Sequence, residues 1–134
     1  MRVKRWTRAA LAGGLLLLAG NGASTQRSTA LTALNGIELG GWRLKSASGG
    51  ERQLCIANRW AVLQIMHGSA QCQHFVMENT NRSATIRYTC PSHGHGRTTI
   101  DVETPRLIRI ETQGVADGSP FSESYEARRS GACN

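Results

Sequence analysis

Apolar and polar residues alternate through most of the chain after residue 40, and the alternation is clearest between Cys72 and Cys90. Cys72-Gln-His-Phe-Val-Met-Glu leads into the polar cluster Asn79-Thr-Asn-Arg-Ser83 and returns as Ala84-Thr-Ile-Arg-Tyr-Thr-Cys90. That is the pattern of two strands joined by a turn. A turn centred on Asn81 sets Val76 opposite Ile86, His74 opposite Tyr88 and Cys72 opposite Cys90 on one face, with Phe75 and Met77 on the other. Directly opposed residues stand about 4.5 to 5.5 Å apart, within the reach of a disulfide. A one-residue slip would carry a cysteine to the wrong face, so the pairing follows from the turn.

The same period predicts further strands on both sides of this hairpin. Gly41-Trp-Arg-Leu-Lys-Ser46 alternates, turns at Ser48-Gly-Gly50 and continues as Gln53-Leu-Cys-Ile56. After it, Asn58 can cap a helix of two to three turns whose apolar side holds Trp60, Leu63 and Met66 with Val62 and Ile65, and Gly68 can end it. So short a helix needs packing on a sheet to persist. Beyond the central hairpin, a glycine-rich connection Pro91–Gly96 precedes Arg97–Glu103, and Arg106–Glu111 and Phe121–Ala127 alternate again. About seven strands joined by short turns predict a mainly β domain: a curled antiparallel meander forming a partial barrel, closed by one short helix.

The first residues follow another pattern. Arg2, Lys4, Arg5 and Arg8 precede the apolar run Ala9–Gly20 and small residues to Ser24, the three parts of a secretory signal. The run is short of the roughly 20 residues of a membrane span; a retained anchor is the alternative. Residues 1–24 thus read as a signal peptide, 25–36 as a flexible leader and 37–134 as one domain, with no membrane span left after cleavage. Removal of the signal takes four of sixteen basic residues and none of nine acidic ones, so the net charge falls from +7 to +3. The remaining excess gives no basis for a nucleic-acid partner.

Export also gives the cysteines their meaning. Cys55, Cys72, Cys90 and Cys133 are an even count in an oxidising compartment, which allows three connectivities. The hairpin register favours Cys72 with Cys90, leaving Cys55 with Cys133 across 78 residues and a stabilisation on the order of 4 kcal/mol. A four-thiolate metal site would need closer cysteine spacing and reduced thiols.

Candidate chemistry is sparse. His93 and His95 are spaced to share one side of a strand, as some metal sites require, but two ligands among glycines read first as an exposed turn. No nucleophile elbow or phosphate-cradling loop occurs, and Asp101, Glu103 and Glu111 read as solvated strand positions. No cofactor and no catalytic residue is implied. A curled sheet has a concave face, so Trp42, Phe75, Met77 and Phe121 are candidate ligand-lining residues, although Trp42, a lone tryptophan on a strand, reads first as a core or rim anchor.

The order of these motifs resembles a known family. Gly41-Trp42, Cys55-Ile56 before a helix, Cys72 and Cys90-Pro91 eighteen apart, a glycine-rich turn, Gly118-Ser-Pro-Phe121 and Arg128-Arg-Ser-Gly-Ala-Cys133 together resemble the domain-of-unknown-function family 3617 (DUF3617) over nearly the whole mature chain. Its members are small exported proteins of Gram-negative bacteria that usually carry Glu after the tryptophan, where this chain has Arg43. The resemblance implies a periplasmic, disulfide-bonded, mostly β domain and brings no activity with it. The function expected is a noncatalytic module binding a small apolar ligand or a partner protein of the envelope. The alternatives are a metal-dependent envelope enzyme using His93 and His95, and a structural or stress-related envelope protein.

Overall fold

The computed structural model describes residues 30–134; the expected signal and the first part of the leader lie outside them. Seven strands, β1 (Gly40–Ser46), β2 (Glu51–Ile56), β3 (Gln73–Asn79), β4 (Ser83–Cys90), β5 (Gly94–Thr104), β6 (Leu107–Ala116) and β7 (Ser119–Gly131), form one sheet in the order β2-β1-β7-β6-β5-β4-β3. Every pairing is antiparallel. From β3 to β7 the chain is a simple meander, whereas β1 lies against β7, bringing the first hairpin to the far side. Among the described residues the sheet is therefore open, with β2 and β3 as its unpaired edges, and their connection crosses from one edge to the other.

Register explains the core. Trp42 and Leu44 of β1, Ile86 and Tyr88 of β4, Ile100 of β5, Ile108 and Ile110 of β6 and Tyr125 and Ala127 of β7 are buried, while the residues between them stay wet. This is the two-residue period of strands with one solvated face. The central hairpin has the expected pairs Val76–Ile86 and His74–Tyr88. A bulge between Val76 and Glu78 then shifts the register by one, and the tip closes with Thr80 N–H donating to the Ser83 carbonyl at 2.8 Å. Both disulfides, Cys55–Cys133 and Cys72–Cys90, are formed.

Two helical pieces cover the inner face, not one. The leader reading of residues 25–36 fails over its described part: Thr32–Asn35 is helical (α1), and Leu31, Ala33 and Leu34 are buried in the core, as is Ile37 just beyond. Asn79 holds this segment, accepting the Thr32 N–H at 2.8 Å and donating to the Ala30 carbonyl. The second piece, capped by Asn58 as expected, is a 3-10 helix over Arg59–Gln64. Val62, Leu63, Gln64 and Ile65 are buried in succession, because the helix plugs the fold and is not laid on it by one stripe. Gly68, with φ of 56°, closes the following turn.

Strand limits also differ at the glycine-rich connection. Only Pro91–His93 forms the turn; β5 already begins at Gly94 and includes His95. Gly96 stays in the strand because the Tyr88 ring lies on it, and a Cβ there would stand 2.5 Å from the Tyr88 hydroxyl.

Candidate functional site

The crossing from β2 to β3 builds the part of the molecule with the most chemistry. Its first element is edge strand β2, where Arg52, Leu54 and Ile56 share the inward side by the strand period. Leu54 is half-buried, Ile56 fully buried, and Arg52 reaches solvent. Facing them, the 3-10 helix presents Trp60, Ala61 and Gln64, continued by Ile65. Between the two lies a cleft of about 460 Å³ lined by Arg52, Leu54, Trp60, Ala61, Gln64 and Ile65, with Asn58 and Ser69 at its rim. That volume falls in the range of small-molecule sites.

Arg52 is the charge of this cleft. Its guanidinium donates to the Ile65 carbonyl at 3.4 Å and lies 3.8 Å from the Met66 sulfur. The adjacent Glu51 pairs with Arg43 at 3.1 Å, which leaves Arg52 with no carboxylate partner among the described residues. Trp60 stays 38% exposed and tilts against the His74 ring, centroid to centroid 5.1 Å. The sequence grouped Trp60 with the buried side of the helix; instead it forms a wall of the cleft.

Behind the cleft, a hydrogen-bonded chain fixes these walls. The Gln64 amide nitrogen donates to the Gly68 and Ala70 carbonyls at 2.8 and 2.9 Å, so its oxygen faces His74 Nε2 at 2.9 Å and receives that proton. Burial holds the His74 imidazole below the ordinary histidine range, in its neutral form. Nearby, His67 Nε2 faces two carbonyls, those of Val115 at 3.0 Å and His93 at 3.2 Å, and must carry a hydrogen. His67 Nδ1 then accepts from the Tyr88 hydroxyl at 3.0 Å. Burial pushes the Tyr88 hydroxyl up, against the smaller pull of hydrogen bonds from Thr112 and Thr98. Each ring nitrogen of His67 is engaged. The arrangement locks a wall in place.

The sequence candidates are scattered. Trp42 is wholly buried, its indole N–H donating to the Glu38 carbonyl at 3.1 Å, and fills the core instead of lining a cavity. Phe121 packs edge-on to His67 at 5.9 Å. Phe75 and Met77, 67% and 44% exposed, lie on edge strand β3 away from both. Among the metal candidates, His93 pairs with Asp117 at 3.0 Å on an exposed turn, while His95 stands on β5 between Thr89 and Val115. No group of three or more His, Cys, Asp or Glu side chains gathers to hold an ion among the described residues. Sequence reading missed Arg52, although one signal was present: a charge on the same strand side as Leu54 and Ile56.

Compared with known proteins, the chain matches no family model, no curated protein and no solved structure.

Proposed function

We propose that this protein is a noncatalytic binding module of the bacterial cell envelope, working in the periplasm, and that it takes a small, mainly apolar molecule carrying an acidic group. The observation behind this reading is the cleft of about 460 Å³ with apolar walls and a guanidinium that lacks a carboxylate partner among the described residues. Leu54, Ile65 and the exposed ring of Trp60 supply apolar surface, and Arg52 supplies the charge. An arginine beside apolar walls favours a carboxylate, which its planar fork can bind through two hydrogen bonds. Two disulfides fit an exported or extracellular protein, and no described helix is long and apolar enough to cross a membrane. The resemblance of the motif order to DUF3617 points to the same compartment and brings no activity with it.

The experiment uses the exported protein and dodecanoate. Trp60 is exposed to the cleft and Trp42 is buried, so a saturable blue shift in tryptophan emission reports entry of the acid. Arg52→Gln should weaken binding about tenfold, the loss of one charge-assisted contact, and the methyl ester should bind wild type as weakly as the acid binds the variant. Absence of saturation, or equal binding of acid and ester, overturns the reading.

A further inference from the structure

The geometry points to the free edge of β3 as a docking site for an extended, acidic peptide segment of a partner protein. Among the described residues β3 pairs only with β4, so its other side presents backbone N–H and C=O groups that no described strand pairs. Exposed edges are usually blunted by charge, and β2 carries Glu51 and Arg52. β3 instead carries Phe75 and Met77, the two most exposed large apolar side chains among the described residues, with a single carboxylate at Glu78.

Across the outer face, Phe75 stands opposite Arg87 and Arg87 opposite Arg97. Two arginines in direct register repel each other, at a cost to the sheet. Other arginines of this face are neutralised: Arg43 by Glu51, Arg109 by Glu103 and Arg128 by Glu126. Arg87 and Arg97 have no such partner among the described residues; the row continues to Gln113 and Ser122, and the neighbouring row toward Cys90 holds Thr89 and His95. The acids nearest in register, Glu78 and Glu111, lie on the row beyond, opposite Thr85 and Thr99.

A strand added to β3 would satisfy the edge and set its side chains beside Phe75 and Met77. It would lie two strand spacings, about 9.6 Å, from β4. An arginine reaching over the Phe75 ring and a glutamate reaching back can close that separation, and the incoming carboxylate relieves the repulsion between Arg87 and Arg97. A bilayer offers the same charges and apolar contact but leaves the edge groups of β3 without hydrogen bonds. The peptide is therefore the better fit.

The test titrates the exported protein with acetyl-Val-Glu-Val-Glu-Val-Glu-Val-amide and with its lysine counterpart, following backbone amide resonances. The glutamate peptide should perturb Gln73–Asn79 saturably and slow hydrogen exchange along β3, and the lysine peptide should bind at least about tenfold more weakly. Arg87→Glu with Arg97→Glu should reverse that preference, and Phe75→Ser should weaken both peptides; all three positions are solvent-exposed, so the fold persists. Equal binding of both peptides, perturbation away from β3, self-association through β3, or binding to phosphatidylglycerol vesicles in place of the peptide overturns the inference. Dodecanoate binding at the β2 cleft is read separately, so either proposal can fail alone.

Discussion

The two edges of one sheet have been finished in opposite ways. β2 is short and charged, is bridged from Cys55 to the penultimate residue Cys133, and is overlooked by the 3-10 helix that leaves a cleft beside it. β3 is tied at its entry by Cys72–Cys90 and bulged between Val76 and Glu78, yet it shows Phe75 and Met77 to solvent. In both proposals the interior serves as scaffold and recognition lies where the sheet fails to close. A closed barrel would have removed both edges and, with them, both candidate surfaces.

The bridges test this comparison with the largest expected effect. Cys55–Cys133 closes a separation of 78 residues and Cys72–Cys90 one of 18. Replacing the first pair by serine should cost about 4 kcal/mol and the second about 3 kcal/mol, read from urea unfolding of the two double variants. A larger loss for the short loop would show that the β3 edge, not the β2 edge, depends more on its staple.

Gly96→Ala comes next. A Cβ would meet the Tyr88 ring, which holds His67 behind the cleft, and the overpacking should cost about 1 to 3 kcal/mol. A neutral effect in thermal unfolding would mean that the ring chain can relax without consequence.

His74 supplies a smaller, pH-dependent effect. Its pKa is lowered in the fold by burial, so below the ordinary histidine value of about 6.5 the unfolded chain takes up the proton more readily. Stability should therefore be constant above that value, and fall as the pH drops from there toward the lowered folded pKa. His74→Gln should flatten the decline, seen as urea midpoints at pH 7.5 and 5.5; an unchanged slope would assign the decline to other groups. The smallest effect belongs to Phe75→Ser, which should change stability by no more than about 0.5 kcal/mol because the ring packs little. A large loss there would make Phe75 structural and weaken the case for an open β3 surface.

Much of this architecture was legible from residue order. The hairpin register, both bridges and the Asn58 cap followed from alternation, turn residues and cysteine parity, all local or nearly local signals. The bulge near Met77 was hidden because the Asn79–Ser83 cluster fits a turn centred one half-residue either way. The β1–β7 pairing was hidden as well, since alternation says which face a strand buries and not which neighbour it finds. Leu31, Ala33 and Leu34 looked like leader because a four-residue helix carries no sustained period; their burial is imposed by the sheet below. The cleft was the least legible feature, as Arg52 and Trp60 meet only when the crossing from β2 to β3 is in place.

The most direct measurement is a map of backbone and indole amide shifts as dodecanoate is added to the exported protein. The account predicts saturable changes confined to Arg52, Leu54, Ala61, Gln64 and the Trp60 indole, with Phe75, Arg87 and Arg97 unmoved. Changes centred on β3, or none at saturating acid, would contradict the assignment of the small-ligand site to the β2 edge.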